Sequence, residues 1–191
     1  MKKNIAIFAS GNGTNAEQLV LHFVRHSKAR VALILTNRST AFVLERAKRL
    51  EVPAYCFSKE QWAEGTEVVE ILRRHKIDFV VLAGFLARVP DCVLHCFPRR
   101  MVNIHPSLLP KFGGKGMYGD RVHQAVLESG ETESGITIHY TNEHYDEGAI
   151  ICQERCPVMP DDTFDTLAAR VHQLEYAHYP RVVDELVSAL E

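Results

Sequence analysis

Short apolar runs and segments of helical periodicity alternate along the first part of the chain. The apolar runs are typical of buried strands, and they lie at Asn4–Ser10, Val31–Leu35, Ala54–Phe57, Phe79–Ala83 and Val102–His105. Between most of them, apolar residues recur at intervals of three and four, as they do on one face of a helix. This alternation predicts an α/β fold, in which helices cover both faces of a parallel sheet.

The pattern changes in the second part of the chain. Gly135–Thr141 alternates apolar and polar residues, Ala149–Val158 is a second extended run, and Asn142–Gly148 between them is an acidic, irregular loop. A long helical pattern begins at Asp162, and we expect Pro180 to kink or restart that helix. We therefore predict a single-domain, Rossmann-like open sheet of the α/β class, mostly parallel, with an antiparallel C-terminal edge and helices on both faces.

Composition and charge narrow the class of protein. The 191 residues suit one domain, and 22 Lys and Arg against 24 Asp and Glu give a net charge of −2, which argues against a dedicated nucleic-acid surface. No apolar run approaches the roughly 20 residues that cross a bilayer, and the N-terminus lacks the pattern of a signal peptide. Five scattered cysteines favour reduced thiols and complete no four-ligand metal set. We expect a cytoplasmic protein that acts on small molecules, without a metal, a nucleic acid or a membrane.

A glycine-rich turn separates the first predicted strand from the first predicted helix. It has the sequence Ser-Gly-Asn-Gly-Thr-Asn at Ser10–Asn15, and Thr14 with Glu17 matches a capping box. Glycines let the backbone approach an anion closely, and the unpaired N–H groups at a helix start favour negative charge. We therefore interpret the turn as a phosphate site. Two alternatives stay open: an ordinary strand-to-helix turn, and an NADP site in which Arg38 accommodates the ribose phosphate.

Two side chains at the end of the fifth predicted strand suggest catalysis. Asn103 and His105 are two residues apart, so they point to the same face of the sheet. They lie at the carboxyl end of a parallel strand, where open α/β sheets bind ligands. An amide N–H can stabilise an oxyanion while an imidazole carries a proton, as acyl transfer requires. The alternative is that Asn103 caps the strand and His105 is a structural histidine.

A carboxylate near His105 would favour the charged imidazole and raise its pKa. The acidic loop offers Glu143, Asp146 and Glu147, and the residues alone do not choose among them. A second loop, Lys111–Gly119, is glycine-rich but lacks the Gly-Lys-Ser/Thr ending of a P-loop. We interpret it as a mobile loop over the site.

Four motifs together resemble those of one known family. They are Gly-Asn-Gly-Thr-Asn at Gly11–Asn15, Leu-Ala-Gly-Phe-Leu at Leu82–Leu86, the run Asn103–Phe112, and Tyr-Asp-Glu-Gly at Tyr145–Gly148. Their order and spacing are similar to those of the phosphoribosylglycinamide formyltransferases, folate-dependent enzymes of purine synthesis. The resemblance implies transfer of a formyl group from 10-formyltetrahydrofolate to the glycyl amine of N1-(5-phospho-β-D-ribosyl)glycinamide, without a metal, by a monomer or homodimer.

The resemblance also implies roles for individual residues. Asn103 and His105 would be the catalytic pair, with Asp146 as the carboxylate beside them. The residues implied to hold the substrate are Gly13, Thr14, Asn15 and Glu175. Those implied to bind the folate are Lys59, Leu86, Ala87, Arg88, Val89 and Asn103. The single domain 1–191 would comprise a nucleotide- and phosphate-binding half, 1–100, and a catalytic and folate-binding half, 101–191.

The sequence departs from the family pattern at two places. Ala87 stands where an arginine is expected, with Arg88 shifted by one position, and Gly113–Asp120 is longer than in familiar members. Other functions were weighed on the same residues. Methionyl-tRNA formylation would call for a further basic C-terminal domain, and formyl-folate hydrolysis for a further N-terminal one. An NADP oxidoreductase or a non-catalytic nucleotide-binding module could be built on the glycine turn alone.

Overall fold

The computed structural model describes residues 2–25 and 28–190, which form one seven-stranded sheet with helices on both faces. The strands are β1 (Lys3–Phe8), β2 (Ala29–Thr36), β3 (Ala54–Cys56), β4 (Phe79–Leu82), β5 (Met101–His105), β6 (Glu133–Tyr140) and β7 (Ile150–Pro157). The helices are α1 (Thr14–Arg25), α2 (Val43–Arg49), α3 (Lys59–Glu64), α4 (Thr66–Arg74), α5 (Asp91–Cys96), α6 (Asp120–Glu128) and α7 (Phe164–Ser188).

The order of the strands in the sheet determines where a ligand can bind. They run β3-β2-β1-β4-β5-β6-β7, with parallel pairing from β3 to β5 and antiparallel pairing from β5 to β7. From β1 the chain winds outward to β2 and β3, then returns to β4 on the other side of β1. This reversal leaves a crevice beyond the carboxyl ends of β1 and β4, where doubly wound sheets bind ligands.

The side chains of the central strands form two hydrophobic cores, one on each face of the sheet. In β1, Ile5 and Ile7 face one side of the sheet while Ala6 and Phe8 face the other, because successive side chains point to opposite faces. The first face packs against α1 and α7, and the second against the helices between β3 and β5. Both faces of the central strands are therefore covered, which confirms the predicted layered α/β fold and its antiparallel C-terminal edge.

Two local predictions are wrong. Thr14 is the first residue of α1, and the Gly13 carbonyl accepts from the Glu17 N–H at 3.0 Å, so the helix starts one residue earlier than a Thr14 cap allows. The Glu17 carboxylate pairs with Arg46 and Arg49 instead. Helix α7 runs unbroken from Phe164 to Ser188, so it does not restart at Pro180, which is buried within it; a kink at that residue stays a prediction.

Candidate active site

A cavity of about 970 Å³ lies at the crevice beyond β1 and β4. Its wall contains all but one of the predicted site residues: Gly13, Thr14, Asn15, Leu86, Ala87, Arg88, Val89, Asn103, His105, Asp146 and Glu175. The exception is Lys59, an exposed residue at the start of α3, which does not line the cavity. Its contact with a folate stays a prediction.

The glycine turn lines the cavity. Gly13 has φ of +76°, and a Cβ there would lie 2.4 Å from Val43 Cγ2, so both backbone conformation and packing require glycine. Asn15, in the first turn of α1, donates from Nδ2 to Glu175 Oε2 at 2.8 Å. Glu175 is only 5% exposed, and burial raises the pKa of its carboxyl although the Asn15 hydrogen bond opposes that shift. The helix start and a distant buried carboxyl thus share one pocket.

Asn103 lies at the centre of a hydrogen-bonded cluster. Residue His139, opposite Asn103 in the β5–β6 register, donates from Nδ1 to the Tyr140 carbonyl at 2.9 Å. Its Nε2 is 3.1 Å from Asn103 Nδ2, so this nitrogen accepts from the amide N–H. Asn103 Nδ2 also lies 3.5 Å from Asp146 Oδ1. The second N–H of Asn103 is therefore only weakly bound to Asp146, and a stronger acceptor on a ligand can take the place of that carboxylate.

The His105 ring is held at both nitrogens. It is 4% exposed, and its Nε2 donates to the Phe112 carbonyl at 2.8 Å. Because a carbonyl can only accept, this bond puts the proton of the neutral ring on Nε2. Nδ1 is left facing Asp146 Oδ2 at 3.5 Å. The nitrogen that can exchange a proton with a ligand in the cavity is therefore Nδ1.

Asp146 is the loop carboxylate that lies beside His105. Its φ of +57° turns the loop inward, and its Oδ2 accepts from the Gly114 N–H at 2.9 Å. Glu143 instead lies 3.7 Å from the exposed His95, and Glu147 is exposed. Burial raises the pKa of the Asp146 carboxyl, but the neighbouring histidines and the Gly114 N–H together lower it by more. The net pKa is therefore below its ordinary value, and the carboxyl is ionised.

Burial, rather than the carboxylate, dominates the titration of His105. It lowers the pKa of the ring, and the Asp146 charge and the Phe112 hydrogen bond reverse this only in part. The prediction that a nearby carboxylate raises the pKa of His105 is therefore wrong for the net shift, which is downward. The ring rests neutral at pH 7, with an anion beside it that stabilises the imidazolium once a proton arrives.

An Asp146→Asn variant tests this balance. The substitution withdraws the charge that favours imidazolium, so we expect the pKa of His105 to fall below its value in the unchanged protein. An NMR titration of the histidine ring resonances measures both pKa values. The exposed Glu143→Gln is a matched control because its carboxylate pairs with His95 instead. A His105 pKa that is unchanged in Asp146→Asn, or that falls equally in Glu143→Gln, would contradict the pairing.

The wall on the α5 side is fixed by main-chain hydrogen bonds. The Leu86 N–H donates to Ser10 Oγ at 2.9 Å, and Trp62 Nε1 donates to the Arg88 carbonyl at 2.7 Å. The Arg88 guanidinium pairs with Asp91 at 2.5 Å. The main chain of segment 86–89, which lines the cavity, is therefore held in place by Ser10 and Trp62.

The structure adds site residues that sequence reasoning missed. His139 orients Asn103, the Phe112 carbonyl sets the His105 tautomer, and the Gly114 N–H holds Asp146. His139 was visible in the alternating segment, but only the antiparallel register places it opposite Asn103. The other two act through backbone atoms and have no side-chain signal.

Two further properties concern metals and membranes. Within residues 2–25 and 28–190, no group of histidine, cysteine, aspartate and glutamate side chains could hold a metal ion. In the same part of the chain, no helix is long and apolar enough to span a membrane.

Comparison with known proteins agrees with the geometry. A family model described as formyl transferase matches residues 3–183. A phosphoribosylglycinamide formyltransferase from Bacillus subtilis (strain 168) is 36% identical over 190 residues, covering 97% of this chain and 95% of the relative. The chloroplastic protein of that name from Arabidopsis thaliana is 42% identical over 188 residues, covering 95% of this chain but 64% of the relative, so the chain spans less than two thirds of it.

A solved structure shows the same fold. The crystal structure of phosphoribosylglycinamide formyltransferase from Bacillus halodurans superposes with a TM-score of 0.90 at 37% identity, covering 99% of this chain and 97% of that one. Sequence and fold lead to one assignment. The chain belongs to the formyl transferase family, in the branch of the phosphoribosylglycinamide formyltransferases.

Proposed function

We propose that this protein transfers the formyl group of 10-formyltetrahydrofolate to the glycyl amine of N1-(5-phospho-β-D-ribosyl)glycinamide in de novo purine biosynthesis. The products are the N2-formyl ribonucleotide and tetrahydrofolate. The observation that carries the proposal is the convergence of Asn103, His105 and Asp146 in the same cavity as the glycine turn. An anion site and an acyl-transfer site in one cavity suit a phosphorylated acceptor.

Substrate binding uses the two ends of the cavity. The phosphate sits on the N–H groups of Gly13, Thr14 and Asn15, where the start of α1 favours negative charge. The Glu175 carboxyl, buried beside Asn15, accepts from the ribose hydroxyls. The folate ring lies against segment 86–89, with its formyl group directed at Asn103.

The reaction is a direct acyl transfer. The substrate amine attacks the formyl carbon, the new C–N bond forms, and the formyl oxygen becomes an oxyanion that accepts from Asn103 Nδ2. His105 Nδ1 takes the proton of the attacking nitrogen, and Asp146 stabilises the imidazolium. The same proton then passes to the folate N10 as the C–N10 bond breaks, so His105 ends neutral.

A transfer assay tests the proposal directly. The purified chain with both substrates should release tetrahydrofolate in equal amount to the formylated ribonucleotide, the first measured by absorbance and the second by mass spectrometry. Tetrahydrofolate released without the ribonucleotide would indicate hydrolysis instead. Binding of NADPH, with no transfer, would indicate the oxidoreductase alternative, for which Arg38 also lines the cavity.

Several expectations remain part of the proposal. The partners are small molecules rather than nucleic acid, no metal takes part, and the protein is a monomer or homodimer. The cytoplasmic location and the division into halves 1–100 and 101–191 stay predictions.

A further inference from the structure

One histidine of the cavity wall has no part in the chemistry described above. His123, on α6, is 2% exposed and lines the cavity. Its Nδ1 is enclosed by protein and has no hydrogen-bond partner. Leaving a buried polar atom unpaired costs stability, on the order of a lost hydrogen bond, so such an atom in a folded protein needs an explanation.

Unpaired polar atoms concentrate at this cavity. Among the described residues, five enclosed side-chain polar atoms lack a partner, and three of them belong to residues of the cavity wall: Asn15, His123 and Thr141. Asn15 already belongs to the proposed phosphate site. A small number of polar groups in a pocket wall fixes the orientation of a bound ligand.

His123 has a neighbour toward each end of the proposed substrate. Its ring centroid is 6.3 Å from that of His172, one turn before Glu175 on α7. On the other side it is close enough to His105 for the charge of that ring to influence its titration. The ribose end at Glu175 and the reacting amine at His105 are joined by a glycinamide arm, –NH–CO–CH2–NH2. With the ribose at Glu175 and the amine at His105, as proposed above, we place this arm along the wall that holds His123.

The protonation state of His123 suits a neutral partner. Burial, with a smaller effect from His172, lowers the pKa of the ring to about 4, so it is uncharged at pH 7. An N–H enclosed without an acceptor is rarer than an enclosed lone pair, so the proton belongs on Nε2. Nε2 is not among the enclosed unpaired atoms, so we infer that it is the ring nitrogen a ligand in the cavity reaches, as a hydrogen-bond donor.

We propose that His123 is a substrate-binding residue whose Nε2–H donates to the amide carbonyl of the glycinamide arm. This inference rests on the proposed function and adds a contact that recognises the acceptor rather than the phosphate or the folate. A neutral donor fits an amide carbonyl and contributes to selecting an amide-linked arm over a bare phosphosugar.

The test compares His123→Leu with His123→Gln. Leucine removes the donor, and we expect the KM for the ribonucleotide to rise about 3- to 10-fold, the effect of one neutral hydrogen bond. Glutamine keeps an amide N–H near the place of Nε2, so its KM should stay closer to that of the unchanged protein. The KM for the folate should not change in either variant. Leucine also removes the unpaired Nδ1, so the melting temperature should be equal or higher.

A competitor without the arm separates recognition from general damage to the site. Ribose 5-phosphate keeps the phosphate and ribose but lacks the glycinamide, so its inhibition constant should be the same in His123→Leu and the unchanged protein. Gln124→Leu, an exposed neighbour on α6, is the matched control. An unchanged ribonucleotide KM in His123→Leu, or an equal weakening of ribose 5-phosphate, would overturn the inference.

A binding measurement tests the role of His123 even if the proposed formyl transfer is wrong. If the unchanged protein transfers no formyl group, the proposed function fails in that assay alone. Calorimetric binding of the ribonucleotide and of ribose 5-phosphate to both proteins still decides the role of His123. A loss confined to the ribonucleotide supports the contact, and any other pattern rejects it.

Discussion

Replacing His105 with alanine is expected to lower kcat by about 100- to 10,000-fold, the range over which a positioned acid–base group accelerates a reaction. The ring carries the proton between the attacking and leaving nitrogens, and its Nδ1 is the atom that faces Asp146 at 3.5 Å. Binding of the ribonucleotide should change little, because the ring of His105 contacts Phe112 and Asp146 rather than the glycine turn or Glu175. Steady-state kinetics measures kcat, and calorimetry measures binding.

The control for this variant is a histidine outside the site, partly buried at the end of α4. His75 follows α4 and contacts Tyr55 through its ring, outside the cavity wall. His75→Ala should keep kcat within a few-fold of the unchanged protein. If His105→Ala turns over at nearly the unchanged rate, His105 is not the proton carrier, whatever its position.

Replacing Asn103 with alanine is expected to lower kcat by about 100- to 1,000-fold, as removal of one oxyanion donor does in other acyl-transfer sites. The amide keeps one N–H on His139 at 3.1 Å and has the second in a 3.5 Å contact with Asp146, which the oxyanion can displace. The loss should appear in kcat more than in either KM, because the oxyanion exists only in the transition state and the intermediate.

A second substitution separates the donor from the shape of Asn103. Asn103→Asp keeps the size of the side chain but replaces the N–H groups with a carboxylate that repels the oxyanion. We expect its kcat to be as low as that of alanine, with binding of ribose 5-phosphate retained as evidence of a folded site. Activity in Asn103→Asp close to that of the unchanged protein would remove the amide from the mechanism.

Much of the fold follows from local pattern. Each of the five strands predicted in the first part of the chain is present, with ends shifted by no more than two residues. Such strands are buried on both faces, so they appear as continuous apolar runs whatever surrounds them. Helices α3 and α5 were not predicted, because six residues present too few positions for a helical periodicity to be visible. Helix α6, of nine residues, was not predicted either.

The site was predicted less completely, for a physical reason. Asn103 and His105 could be paired because a strand repeats every two residues. The choice of Asp146 among three loop carboxylates came from resemblance, and in the structure it depends on a left-handed backbone and on the Gly114 N–H. His139 requires the register of β6 against β5, which no local pattern contains.

The amino-acid sequence by itself determined the α/β layering, the glycine turn and the polar pair on β5, because each depends on residues close together in the chain. The tertiary structure alone decided which groups meet in the cavity and how they titrate. Burial of His105 outweighs the Asp146 charge, and burial of Glu175 outweighs its bond to Asn15. Both pKa shifts depend on how deeply the side chain is buried, and that burial exists only once segments far apart in the chain pack together.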